Sequence, residues 1–295
     1  MEELELIRLY TEKDFEKMRA AAEVLCQTHL AIKEVIREGI TTLDLDKFAN
    51  EFITKHKKAI PAQLGYGDFP FTLCISVNDE ICHGYPTDYV LKEGDIVSID
   101  NVIELDGGLA DSCWTYTIGK MSEEDQRLVD VDLECLKRGI KAAIPGNRIG
   151  DIGAAIQEYV EDENGFSVIR DFIGHGIGKE MHEDPQVPHY GKAGRGPRIE
   201  AGMVFTIEPM IAAGDWKMKV DDNGWTARTR DGSKCSQFEH QLIIHEDGPE
   251  IITDQDKYKL TEEDLDFIVN YKTNGIHNIY FSTGITNINK DIMLN

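Results

Sequence analysis

Apolar positions along the chain recur at helical spacing in two long segments and alternate as in strands elsewhere. Phe15, Met18, Ala22, Leu25, Ile32 and Ile36 fall on one helical face. Thr11-Glu-Lys-Asp14, just ahead of them, has the order of a capping box and predicts a helix opening there. Ser122-Glu-Glu-Asp125 opens a second such helix, which runs to about Ala143 before Pro145-Gly146 stops it. A glycine and a shorter helix follow each, EGITTLDLDKFANEFI from Glu38 and PGNRIGDIGAAIQEYV from Pro145. Placing Gly39 on Gly146 also brings Asp44 onto Asp151, Glu51 onto Glu158, Phe52 onto Tyr159 and Ile53 onto Val160.

A third match lies downstream. LKEGDIVSID (91–100) and IEAGMVFTIE (199–208) share a glycine, an alternating apolar strand, then Ser or Thr, Ile and an acid. Their offset of 108 agrees with the helix offset of 107. Three matches in one order predict a duplicated unit, with halves at about 11–120 and 121–260 inside one domain spanning 1–272. The expected class is α+β, with helices packed on largely antiparallel sheet. The last stretch, 273–295, has no clear period and is expected to be a weakly ordered tail.

Composition narrows the function classes. With 41% hydrophobic and 29% charged residues in 295, the chain reads as a soluble globular protein able to bury a sizeable core. No apolar run approaches bilayer length. The acidic start, MEELELIRLY, lacks the basic flank of a signal peptide, so a cytoplasmic protein is expected. A net charge of −23 argues against a non-specific nucleic-acid binder, which needs clustered Lys and Arg on phosphates. It is also the balance expected where carboxylates converge on cations. The short basic cluster Lys55, His56, Lys57 and Lys58 reads as a solvated helix end. Six cysteines without a CxxC pair argue against a disulfide framework or structural zinc and read as buried thiols.

The candidate chemistry gathers on a few acids and histidines. Asp100 and Glu208 close the two repeated strands directly after apolar residues, where a carboxylate must be neutralised by a proton, a cation or donors. Asp106-Gly-Gly is a hairpin turn signal that would fold Asp111 back beside Asp100. Glu239 lies in SQFEHQLII, a strand-like run in the second half. The 31 positions from Glu208 to Glu239 include an apparent hairpin excursion carrying Trp216 and Trp225. His175 sits between two glycines, a context that suggests close backbone approach around a ligand. His182 follows seven residues later, and His83 precedes Gly84 at a turn. The glycines of Gly174-His-Gly-Ile-Gly178 lack the spacing of a dinucleotide fingerprint, and HEDPQ is not the HExxH of a helical zinc site. His29, His56, His189, His245 and His277 join no constellation and read as structural or solvated.

SVNDEICHGYP, GDIVSIDNVIELDGGLADS, FIGHGIGKEMHEDPQVPHY, GMVFTIEPM and SQFEHQLII, in this order, resemble the type I methionine aminopeptidases over about Leu6 to Thr253. The resemblance implies the pseudo-twofold pita-bread fold and two divalent metals held by Asp100, Asp111, His175, Glu208 and Glu239. It makes His83 and His182 the two active-site histidines that are not ligands. Such a hard, mainly oxygen site suits Mn, Fe, Co or Zn rather than Cu(I). Glu208 would also shuttle protons from the attacking water to the leaving amine, His182 would stabilise the oxyanion, and His83 would position the scissile amide. Tyr66, Phe69, Cys74, Met181 and Trp225 would line the methionine pocket; Gln63 departs from the cysteine that many relatives carry there. The implied activity removes initiator methionine from nascent polypeptides when the second residue is small. The implied setting is a monomeric cytoplasmic enzyme meeting its substrates at the ribosome, with no specific nucleic acid and no membrane. Proline-specific peptidases of the same fold share the five ligands but usually carry an added N-terminal domain, and inactive binding relatives also exist.

Overall fold

Asp14 starts the first helix by returning its carboxylate to the Thr11 backbone N–H at 3.0 Å. The computed structural model describes residues 7–56 and 58–282, with side chains described to residue 273. Helix α1 (Glu12–Val35) buries Phe15, Met18, Ala22, Leu25 and Ile32, the predicted face. Helix α2 (Thr42–Lys55) follows, capped by the Thr41 hydroxyl, which accepts the Asp44 N–H at 3.0 Å. The first half continues with strands β1 (Ala59–Pro61), β2 (Cys74–Val77), β3 (Glu80–Cys82), β4 (Ile96–Leu105) and β5 (Gly108–Thr117).

The second half opens with α3 (Glu123–Ala142), whose Ser122 cap accepts the Asp125 N–H at 3.1 Å, and α4 (Ile149–Gln157). Beyond α4 the chain widens into a π-helical turn over Glu158–Glu163. Strands β6 (Ser167–Val168), β7 (Gly174–Gly176), β8 (Glu183–Val187), β9 (Val204–Ile207) and β10 (Met210–Ala212) come next. They are followed by β11 (Met218–Val220), β12 (Ala227–Thr229), β13 (Cys235–Gln237), β14 (His240–His245) and β15 (Gly248–Ile251), then helix α5 (Glu262–Ser282).

All the strand pairings are antiparallel. β4 carries β5 on one edge and β1 and β2 on the other, and β15-β14-β9-β7-β8 form a second sheet. Helices cover these sheets from outside. Phe48 and Phe52 of α2 join Ile75, Val97 and Ile99 in one core, while Leu136, Ile140 and Ile152 join Phe205 and Ile207 in another. Alternation splits β14 between two cores: Leu242 and Ile244 face α3 and α4, whereas Ile243 packs with Phe15 and Leu25 of α1. Each such side chain removed from water contributes about 1.5–3 kcal/mol.

The paired segments make the same local bonds in each half. Gly39 and Gly146 are left-handed (φ 86° and 95°), and their N–H groups donate to Leu91 O and Ile199 O at 2.9 and 3.0 Å. Gly94 and Gly202 donate to the carbonyls of Ile118 and Ile244. Asp44 and Asp151 each hold a helix start, at Thr41 Oγ1 (2.6 Å) and Arg148 N (2.7 Å).

Two expectations change at the C-terminal end. The basic cluster after α2 is a docking point as well as a solvated helix end: Lys55 pairs with Asp264 in the first turn of α5, and Phe267 packs on Phe48 and Phe52. Lys57 lies outside the described residues. The stretch from 273, read as a weakly ordered tail, begins in helix, because α5 continues unbroken to Ser282 beyond the contact of Tyr271 with Phe48. Residues 283–295 lie outside the described residues, as does the side chain of His277.

The excursion between Glu208 and Glu239 is the expected hairpin, β11 on β12, and β12 then pairs with β3 of the first half. Arg228 secures that junction with Asp79 (2.9 Å), Glu80 (2.6 Å) and Asp221 (2.6 Å).

Candidate metal centre

The β4–β5 hairpin turns at Asp106 and Gly107, both with positive φ (50° and 78°), as a two-residue I′ turn requires. That turn fixes the register: Asp100 opposes Cys113, and Val102 opposes Asp111. The two aspartates therefore lie diagonally on one face of the ladder. In the second half the last rung between β9 and β14 is Ile207 against His240. Glu208 lies one residue after it on one strand and Glu239 one residue before it on the other. Pro209 has no N–H to continue β9. Glu239 joins the halves, its N–H donating to Cys113 O (2.9 Å) and its carbonyl accepting the Ser112 hydroxyl (2.8 Å).

His175 comes from β7, its backbone N–H held by Thr206 Oγ1 at 3.0 Å. The flanking glycines answer to backbone packing, not to a ligand. A Cβ on Gly174 would lie 2.5 Å from Thr206 O, and one on Gly176 would lie 2.2 Å from Asp184 O. His175 Nε2 lies 3.6 Å from Asp111 Oδ2 and 3.5 Å from Glu208 Oε1. Ligand atoms of Asp111, His175 and Glu239 all fall within 4.8 Å of one another.

The electrostatics of this cluster demand positive charge. Burial raises Asp100 to about 7 and Glu208 to about 8, and the Asp100 charge adds to the rise at Glu208. Asp111 and Glu239 are pushed well above the carboxylate range by burial and by the surrounding acids. Burial and the nearby His182 hold His175 down at about 4, so its imidazole is neutral and free to ligate. Asp100 Oδ1 and Glu239 Oε1 are sealed from solvent with no hydrogen-bond partner. Buried carboxylate oxygens without donors, beside a neutral imidazole, fit divalent cations.

The other predicted residues gather around the same cavity of about 470 Å³. His182 lies above His175 with ring centroids 4.3 Å apart, and its Nδ1 meets the Tyr66 hydroxyl at 2.9 Å. His83 adopts left-handed backbone (φ 54°) and meets Phe172 edge-on at 5.3 Å. The left-handed region is costly for a residue with a Cβ, and such strain gathers at functional sites. Gly84 after it permits close passage, since a Cβ there would lie 2.3 Å from Ile75 O. Phe69 is buried against Trp225 at 5.1 Å, and Cys74 opposes Asp100 across β2 and β4. Met181 and Gln63 are buried in the cavity wall, and Gln63 Nε2 donates to Cys74 Sγ at 3.5 Å.

Three neighbours went unassigned from sequence. Thr206 donates to Glu208 Oε1 at 2.8 Å, and Gln237 Nε2 reaches Glu208 Oε2 at 3.5 Å. Both stand two positions before a candidate ligand, and two-residue alternation along a strand could have found them. His189 accepts the Glu208 backbone N–H, a contact with no local signature. His29, another of the set-aside histidines, is structural: its ring bridges Ser112 O and Tyr116 Oη at 3.1 Å each.

These shifts set a pH dependence for metal-free protein. Asp100 and Glu208 rise from 3.8 and 4.5 to about 7 and about 8 on folding. The folded state therefore binds more protons than the unfolded, and stability falls as pH climbs through that window. Buried histidines held near 4, such as His29, His83 and His240, oppose the trend only below the ordinary histidine value of 6.5. Between about pH 6.5 and 8 the acids dominate; each contributes at most about 1.4 kcal/mol per pH unit, a slope that halves at its folded pKa, near 7 for Asp100 and near 8 for Glu208, and vanishes above it. Chelated protein should show a falling melting temperature across that range, and added Mn²⁺ should reverse it. A melting temperature that climbs with pH in the chelated protein would contradict this balance.

Comparison with known proteins agrees with the geometry. Residues 16–246 match Metallopeptidase family M24. A methionine aminopeptidase of Clostridium perfringens is 48% identical over 248 residues, covering 84% of this chain and 99% of that protein. The crystal structure of methionine aminopeptidase from Rickettsia prowazekii superposes with a TM-score of 0.82 at 43% identity, covering 84% of this chain and all of that one. A prolidase from Pyrococcus furiosus shares the fold at a TM-score of 0.67 and 22% identity, with coverage of 83% of this chain and 65% of the other. Helices outside antiparallel sheets, a buried acid–histidine cluster and these likenesses lead to one assignment: the chain belongs to metallopeptidase family M24, among its methionine aminopeptidases.

Proposed function

We propose that Asp100, Asp111, His175, Glu208 and Glu239 hold two divalent ions, and that the chain removes initiator methionine from nascent polypeptides whose second residue is small. The chain is a metal-dependent aminopeptidase, a hydrolase acting on N-terminal methionine. One observation carries the ligand set: four carboxylates and a neutral imidazole line one cavity, with Asp111, His175 and Glu239 offering atoms within 4.8 Å of one another. Four carboxylates balance the charge of two divalent ions, and the oxygen-rich set suits Mn, Fe, Co or Zn. When bound, such ions polarise a carbonyl and lower the pKa of water.

The side chains do the rest. Glu208 is held by Thr206 and Gln237, which fix its carboxylate where it can take a proton from the attacking water and return it to the leaving amine. The Tyr66 hydroxyl meets His182 Nδ1 at 2.9 Å; in the tautomer with its proton on Nε2, His182 can donate to a carbonyl oxygen as negative charge develops. Burial holds His83 near 4, so it stays neutral and suits a hydrogen bond to the scissile amide. Phe69, Trp225, Cys74 and Met181 give the thioether polarizable contacts worth about 0.3–1.5 kcal/mol each. Among the described residues no helix is long and apolar enough to cross a membrane. We place the enzyme in the cytoplasm, meeting nascent polypeptides at the ribosome, and read it as a monomer because one chain supplies every proposed ligand.

Peptide turnover tests the reading. Met-Ala-Ser should be cleaved far faster than Met-Leu-Ser, and Ala-Pro peptides should not be turned over. Equal rates on the two methionyl peptides would remove the small-residue rule. Preference for Ala-Pro would point instead to a proline-specific peptidase.

A further inference from the structure

We infer that His189 is a positioning residue for Glu208, its imidazole holding the backbone of that acid in place. This rests on the reading that Glu208 is a metal ligand and carries protons. Glu208 sits where β9 runs out, because Pro209 cannot donate to a ladder. Its own N–H would be a buried donor with no strand to receive it. His189 Nε2 accepts that N–H at 3.1 Å.

The geometry fixes the state of the ring. A nitrogen that accepts carries no proton, so the proton of the neutral imidazole lies on Nδ1. His189 is 1% exposed, and Nδ1 has no partner. Only one nitrogen of this buried ring is used, and it is the one turned toward Glu208.

The ring is also held from behind. The carbonyls of Pro188 and Tyr190 press against α4 at Gly153, where an added Cβ would lie 2.6 and 2.5 Å from them. Helix α4 thus buttresses the segment carrying His189, and His189 buttresses the end of β9. Thr206 and Gln237 orient the Glu208 carboxylate from the side-chain end, while His189 fixes the backbone from which it projects. Outer partners of this kind typically tune metal affinity or activity by about 10–100-fold when removed.

Three proteins test the inference: wild type, His189→Leu and His189→Gln, whose side-chain oxygen reaches about as far as Nε2. Hydrogen exchange of the Glu208 amide is followed by NMR in the metal-free proteins. Mn²⁺ binding is measured by calorimetry, and kcat and KM on Met-Ala-Ser. Exchange at Glu208 should be at least about tenfold faster in His189→Leu, and near wild type in His189→Gln. The Leu variant should lose about 10–100-fold in kcat or in Mn²⁺ affinity, with KM within about twofold and recovery in the Gln variant. Unchanged Glu208 exchange in His189→Leu overturns the inference. So do equal losses in both variants that track a common fall in melting temperature. Should His189→Leu fail to fold, His189→Asn, too short to reach, takes its place on the same criteria. The exchange readout needs no metal, so wild-type protein that binds no Mn²⁺ would overturn the metal-centre reading and leave the His189–Glu208 contact still measurable.

Discussion

Glu208→Gln is expected to lower kcat by about 10²–10⁴-fold, the usual cost of losing general acid–base help. The amide has nearly the shape of the carboxylate and can keep its acceptor toward the Thr206 hydroxyl, 2.8 Å away in the wild type. It cannot take a proton. The Glu208 carboxylate is fixed at both oxygens, by the Thr206 hydroxyl and the Gln237 amide, in the position proposed for proton transfer. The proposed substrate contacts through Phe69, Met181 and Trp225 are untouched, so KM should move much less than kcat. Metal content must be measured on the same samples, because a ligand charge is lost. A fully metallated variant with wild-type kcat would remove the proton-carrying role.

Asp111→Asn should abolish metal-dependent turnover while raising the melting temperature of metal-free protein at pH 8. Asp111 is buried among like charges: burial raises its pKa first, and the charges of Asp100 and Glu208 raise it further. Without cations that cluster opposes folding at alkaline pH, and a neutral amide of similar shape relieves part of the repulsion. A relief of about 1 kcal/mol would raise the melting temperature by about 2–4 °C in a chain of this class. With one anionic ligand gone, divalent ions should no longer bind tightly enough to support catalysis. Calorimetry with Mn²⁺ and thermal melts of chelated protein decide both halves. A variant less stable than wild type in the metal-free state would show that Asp111 holds structure as well as charge.

The parts of the site that could be read from sequence are those written in strand alternation and turn chemistry. Asp106-Gly107 announced the hairpin that brings Asp111 beside Asp100, and the two strand-end acids stood out because their context occurs twice. Residues that act across the fold left no such mark. The Tyr66 hydroxyl reaches His182 over a sequence separation of 116, and His189 reaches Glu208 over a separation of 19, across a loop and strand β9. Tyr66 lines the cavity as expected, and its hydroxyl also meets His182 Nδ1 at 2.9 Å. The glycines flanking His175 announced crowding correctly but not its source, since a carbonyl on a neighbouring strand and a bound ligand exclude a Cβ alike. At α2, Lys55 had the composition of a solvated helix end, and only the docking of α5 gives it Asp264 as a partner.

The bonds from Glu239 to the first-half hairpin bear on the timing of assembly. Asp100 and Asp111 share one hairpin, the sort of local structure that forms in about 1–10 μs. Glu239 reaches that hairpin through Cys113 O and Ser112 Oγ, contacts between residues more than a hundred positions apart. Closing such a separation costs chain entropy before any contact repays it, so this pairing comes late. During synthesis the early hairpin would wait, with two acids and no imidazole, until the chain through Glu239 had emerged. A chain caught partway would hold cations weakly and cleave nothing, so peptidase activity would begin only once Glu239 had docked on the first-half hairpin.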